Sequence, residues 1–174
     1  MNVAQYQSHN VEGSSGLLGK ENSLFVSIPF GQLSSSQIYA LAFATEKYLK
    51  KQYIEVSPHL NVSFGDNSKN HRKELFDYFI QYGLLVVEAD VTITHEFSAD
   101  EMDKDDKIIV VNIPGAELSI KQLQGLAAFM QSENIADIHL VNEKEFMFKF
   151  QAAGNLDMLR LEVDKMGLTL RSIL

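Results

Sequence analysis

One segment of this chain occurs twice, and that repetition limits its possible folds more than any other feature. Ile28-Pro29-Phe30-Gly31-Gln32-Leu33-Ser34-Ser35-Ser36-Gln37-Ile38 returns as Ile113-Pro114-Gly115-Ala116-Glu117-Leu118-Ser119-Ile120-Lys121-Gln122-Leu123, a shift of 85 positions. The same shift carries Leu41-Ala42 onto Leu126-Ala127. After a single-residue deletion the shift becomes 84, and Ile54 falls on Ile138, Phe64 on Phe148, Leu75 on Leu159 and Gly83-Leu84 on Gly167-Leu168. Self-similarity at a fixed period marks a structure assembled from like units. Whatever the front half folds into, the back half is expected to fold into as well.

Each copy contains the same series of local signals. An apolar run, Leu24 to Ile28 and again Ile108 to Ile113, reads as a strand closed by proline, which has no amide hydrogen for a continuing ladder. Ser34-x-x-Gln37 and Ser119-x-x-Gln122 follow, a capping-box pattern in which serine and glutamine side chains satisfy free amides at a helix start. The first helix places Ile38, Leu41, Ala42, Thr45, Tyr48 and Leu49 on one face, and its counterpart Leu123, Leu126, Ala127 and Met130, at helical period. Two strands with a period of two come next: Tyr53 to Val56 with Leu60, Val62 and Phe64, matched by Ile138 and Leu140 with Phe146, Phe148 and Phe150. The phenylalanines read as core, and His139 is expected on the face opposite Ile138 and Leu140. A second helix turns Leu75, Phe76, Phe79 and Ile80 inward, or Leu156, Leu159, Val163 and Met166. Gly83 and Gly167 end it as left-handed caps, and a last strand starts at Leu84 and Leu168. The expected class is α+β: two β-α-β-β-α-β repeats, each an antiparallel sheet with helices packed on one face. The expected division is a flexible arm at 1–21, a first half-domain at 22–90, an acidic connector at 91–106 and a second half-domain at 107–174. Within the connector Val91 and Ile93 have the alternation of an added strand. Its acidic tail, from Asp100 to Asp106, is not a calcium loop, because a loop counted from Asp103 requires glycine at its sixth position and holds Ile108 there.

Composition narrows the function classes. With 45% hydrophobic and 22% charged residues, 174 positions are enough to bury a real core. A net charge of −8 with scattered cations argues against nucleic acid, which is bound through clustered positive charge. No apolar run is long enough to span a bilayer, and the first twenty residues have no apolar leader, so a cytoplasmic protein that does not bind membranes is expected. The chain has no cysteine, which excludes disulfides, thiolate catalysis and a cysteine-held iron–sulfur cluster within it. His9, His71, His95, His139 and His59 show no metal-ligand spacing. No nucleophile elbow, phosphate-binding loop or dinucleotide fingerprint is present.

The ordered set Ile-Pro, Leu-Ser-x-x-Gln and Leu-Ala, followed by Ile54-Glu55-Val56-Ser57-Pro58-His59-Leu60-Asn61-Val62 and then by Gly83-Leu84, resembles the ferredoxin-like half-domain of sirohaem nitrite and sulfite reductases. The resemblance spans about 65 residues of each copy. It implies two half-domains packed about an approximate two-fold axis and sharing one continuous sheet. In that family a Thr-Thr-Arg-Gln-Asn segment supplies hydrogen bonds and positive charge to the carboxylates of sirohaem. Position by position, Ser57 and Pro58 stand for the threonines, His59 for the arginine and Leu60 for the glutamine, while Asn61 is retained. The second copy has Val141-Asn142-Glu143-Lys144-Glu145, with Glu143 in place of the arginine. A carboxylate-rich cofactor needs fixed cations, above all arginine, and these substitutions remove them.

The candidate ligand-binding set is therefore Ser57, His59, Asn61 and Ser63. The same residues also read as a hairpin whose turn is set by proline and asparagine. Gln32 and Glu117, in the loop before each first helix, lie where an anion or cofactor would meet a helix N-terminus, or are ordinary loop polarity. Catalytic residues and metal ligands are not expected. Three functional expectations follow. The first is a non-catalytic tandem that binds a small anionic, tetrapyrrole-like ligand or a partner protein. The second is a subunit of a split reductase whose sirohaem and cluster reside on a separate chain. The third is a structural protein that forms a homodimer.

Overall fold

Repetition in the sequence becomes repetition in three dimensions, with the two copies interlocked. The computed structural model describes residues 23–48, 52–64, 68–90, 106–151 and 156–173. The expected arm, nearly all of the acidic connector, His9 and His95 lie outside the described residues. The first unit runs β1 (Phe25–Ser27), β2 (Gln32–Ser34), α1 (Ser35–Tyr48), β3 (Tyr53–Val56), β4 (Val62–Ser63), α2 (Arg72–Phe79) and β5 (Leu85–Val87). The second runs β6 (Asp106–Asn112), β7 (Glu117–Ser119), α3 (Ile120–Ser132), β8 (Asp137–Asn142), β9 (Glu145–Gln151), α4 (Leu156–Lys165) and β10 (Thr169–Ile173). The class is α+β, and every strand pairing is antiparallel.

The strands form two five-stranded sheets, not one continuous sheet: β5-β1-β4-β3-β7 and β10-β6-β9-β8-β2. In each, four strands belong to one unit in ferredoxin-like order. The fifth comes from the other unit. Leu33 pairs with Ile138 and Leu118 with Ile54; Gln32 pairs with His139 and Glu117 with Glu55. These pairs map onto each other under the shifts of 85 and 84, so the exchange is reciprocal.

Sequence alone reads Gln32-Leu33-Ser34 and Glu117-Leu118-Ser119 as loop running into helix cap. They are strands and caps at once. Proline starts a 3-10 turn at Pro29–Gly31 and at Pro114–Ala116, which reverses the chain out of the first strand. Gly31 and Gly115 adopt left-handed φ of 65° and 68° there, a conformation disfavoured once a Cβ is present. The chain then extends for three residues along the other unit's sheet before the capping box closes. Gln122 N donates to Ser119 Oγ (3.2 Å) and Ser119 N to Gln122 Oε1 (2.8 Å), and Ser34 and Gln37 do the same at 3.4 and 2.9 Å. The Ile120 amide extends the contact by donating to the Gln52 carbonyl (2.9 Å).

The helices pack on one face of their sheets, and α1 lies against α3. That neighbour widens the buried part of α1. Beside the expected Ile38, Leu41, Ala42 and Thr45, Ala40 and Ala44 are also buried, one turn apart on a second stripe. Burial alternates along β9, where Phe146, Phe148 and Phe150 face the core, as expected of them. The second helix of the first unit departs from expectation. Phe76 and Ile80 are exposed while Leu75 and Phe79 are buried, because α2 is only eight residues long and offers the sheet a single i, i+4 stripe. The repeat marks both positions as outward, since their counterparts are Arg160 and Asp164. Leu60 also leaves its expected strand: β4 contains only Val62 and Ser63, and Leu60 turns at φ 61°.

The exchange should make the halves unfold together. Leu33→Ala or Leu118→Ala, at sites 4% and 3% exposed, is expected to cost about 2–5 kcal/mol while leaving one cooperative transition in urea. Two separated transitions, one for each half, would show that the swapped strands do not couple the units.

Candidate functional site

The candidate residues of the first unit meet at the β3–β4 hairpin, and the structure adds a residue that sequence reading missed. Val56 pairs with Val62, and the five residues between form a closed turn. Ser57 N donates to the Asn61 carbonyl (2.8 Å), and Leu60 N to the Ser57 carbonyl (2.9 Å). The Ser57 hydroxyl accepts from the amides of His59 and Asn61, both at 3.2 Å. The same hydroxyl donates to Asp90 Oδ1 at 2.7 Å, and Asn61 Nδ2 donates to that oxygen, also at 2.7 Å. Ser57 and Asn61 are buried, whereas His59 sits on the exposed crest of the turn. Ser63 points away from Val62, its backbone set opposite Phe25 and Glu55. The structure thus gathers Ser57 and Asn61 into one cluster and leaves His59 and Ser63 on its margin.

Asp90 has no sequence signal. It follows the last strand of the unit, outside any periodic pattern, and only the fold brings it across to the hairpin. A carboxylate that accepts from a serine and an asparagine forms charge-assisted bonds, the stronger kind. The corresponding hairpin of the second unit is held by a bond of opposite sense. Glu145, which aligns with Asn61, accepts from Asn142 Nδ2 (2.9 Å) and forms an ion pair with Arg171 on β10. In the first unit the hairpin donates to an acid beyond the last strand; in the second it accepts from a base on the last strand. Both arrangements tie the hairpin to the end of its own unit. Gln32 and Glu117 lie in the exchanged strands, exposed at the sheet edges, and not in a loop facing a helix N-terminus.

The open face of the second sheet carries His139, across from Gln32 and Met147 and opposite in sense to the buried Ile138 and Leu140, as the alternation requires. Burial lowers its pKa below the ordinary 6.5, and Lys149 adds to that, while Asp137 acts the other way. On the helical side, the Phe43 ring of α1 lies tilted at 5.3 Å from Tyr78 of α2, and Tyr78 lies 5.2 Å from Tyr82. Burial, followed by the Tyr82 hydrogen bond, raises the Tyr78 hydroxyl well above the usual phenol range. Among the described residues no group of three or more His, Asp or Glu side chains is placed to hold a metal ion. None of the helices described is long and apolar enough to cross a membrane.

No protein-family model matches the chain, and neither does any curated protein or solved structure.

Two outcomes follow from these contacts. Asp90→Ala leaves two buried donors without their acceptor and is expected to cost about 1–3 kcal/mol, read by urea denaturation; a variant as stable as the parent would remove Asp90 from the hairpin's support. For His139 the folded protein favours the neutral ring, so the unfolded chain takes up the proton more readily. This contribution to stability is fully present above about pH 6.5 and is lost as the pH falls through the depressed folded-state value. His139→Gln should therefore flatten the loss of stability between about pH 7 and pH 5, and an unchanged slope would contradict the assignment.

Proposed function

We propose that the chain is a non-catalytic tandem of nitrite/sulfite-reductase-type half-domains acting as a binding or assembly module. The reading is supported chiefly by how the hairpin donors are used. In the enzymes that the sequence resembles, this segment meets the carboxylates of a cofactor. Here Ser57 and Asn61 donate to the protein's own carboxylate, Asp90. A ligand carboxylate approaching the same donors would have to displace Asp90 and would meet its negative charge. Position by position the nearby cations are also lost, with His59 and Glu143 at the arginine positions. The hairpin works as a latch that braces the fold, and binding is assigned to the other surfaces of the interlocked body.

The test is direct. Sirohaem titrated into the protein is expected to leave the Soret band of the free cofactor unshifted, and His59→Ala with Asn61→Ala to change nothing. A shifted band that these substitutions weaken would instead make the hairpin a tetrapyrrole site.

A further inference from the structure

The two halves share a frame but line their helix–helix slots differently. In the first unit Phe43 and Tyr78, with ring centroids 5.3 Å apart, line a smaller and more open groove of about 540 Å³. The Lys47 ammonium lies 5.5 Å from the Phe43 centroid and 5.0 Å from that of Tyr48. This is an aromatic pair with a cation beside it. Under the repeat shifts Ala40 becomes Gly125, Phe43 becomes Ala128, Tyr48 becomes Glu133, Tyr78 becomes Glu162 and Tyr82 becomes Met166. The second unit has thus lost both rings of the pair and gained two carboxylates.

What remains is a cleft of about 650 Å³ between α3 and α4, lined by Phe129, Phe150, Leu159, Met158 and Met166, with Glu133 and Glu162 among its polar groups. That volume falls within the ~300–1,000 Å³ of small-molecule sites. Gly125 keeps one wall thin: a Cβ there would come within 3.1 Å of Met166 Cγ. Glu162 pairs with Lys165 at 2.6 Å, an exposed contact that a second cation can share at little cost. The two methionines supply adaptable, polarisable walls that suit a flat ring.

We propose that the α3–α4 cleft binds a small molecule made of a flat aromatic group bearing an ammonium, the same chemistry that Phe43, Tyr78 and Lys47 supply at the corresponding place in the first unit. The apolar lining takes the ring, and Glu162 and Glu133 take the charge. The proposal rests on the reading of the chain as a binding module, and the test separates the two.

The full chain, carrying 13C-methyl methionine, is titrated with 2-naphthylmethylammonium and, in parallel, with 2-naphthoate. The cation is expected to shift the Met158 and Met166 methyl resonances and to bind about tenfold more tightly than the anion. Ala128→Phe, a substitution at an exposed position that puts the ring of Phe43 into the cleft, should abolish the shifts. Glu162→Gln should reduce the preference for the cation, and Phe43→Ala in the first unit should leave it intact. Equal binding of cation and anion, shifts confined to other methionines, or unchanged binding by both Ala128→Phe and Glu162→Gln would overturn the site. The cleft would then fall as the binding surface, while the titration with sirohaem decides separately whether the hairpin is a latch or a tetrapyrrole site.

Discussion

The pairing of Leu33 with Ile138 and of Leu118 with Ile54 is the constraint from which the rest of the architecture follows. A four-stranded ferredoxin-like sheet ends in an open edge, and an unpaired edge is a site for unwanted association. Here each unit covers the β3 or β8 edge of the other with three residues supplied just before its own helix. Those residues lead directly into the capping boxes, so the backbone that joins the two sheets also sets where α1 and α3 begin. The two helices are thereby brought together, and α1 buries a second stripe that a lone half-domain would leave in water.

Within this frame the copies have diverged at positions that do not disturb the exchange. The hairpins keep the same task with opposite polarity: Asn61 donates to Asp90, while Glu145 accepts from Arg171. What is preserved is the tie between the hairpin and the end of its unit, not the chemistry of the tie. The helix–helix slots differ more deeply. One is lined by a tilted pair of rings, and the other has small and acidic residues at the corresponding places. A duplicated fold lets the two slots take different linings, because the shared strands and the α1–α3 contact hold both halves in place.

Much of the fold was legible in the residues. The repeat, the capping boxes, the left-handed Gly83 and Gly167, the alternation of Phe146, Phe148 and Phe150 and the placement of His139 are local or periodic properties, and local sterics and burial preferences act directly on them. The misreadings had physical causes too. Phe76 is apolar on a helix too short to bury both edges of its stripe, and Ile80 falls just past the helix end. Gln32-Leu33-Ser34 alternates as a strand does, but three residues next to a strong cap are too few to signal one. The candidate site was half legible: Ser57, His59 and Asn61 form the turn that their types favour, yet Asp90, which gives Ser57 and Asn61 their main task, carries no pattern at all.

By itself, then, the sequence determined the two-fold repetition, the order of helix and strand within each copy, the apolar core and the absence of thiol chemistry. Each of these depends on neighbours along the chain or on composition. Only the tertiary structure decided that the copies exchange strands into two separate sheets, that Asp90 occupies the hairpin donors and that rings line one slot while carboxylates and methionines line the other. Those outcomes depend on pairs of residues tens of positions apart, whose meeting is set by the packing of whole elements and not by any preference of the residues themselves.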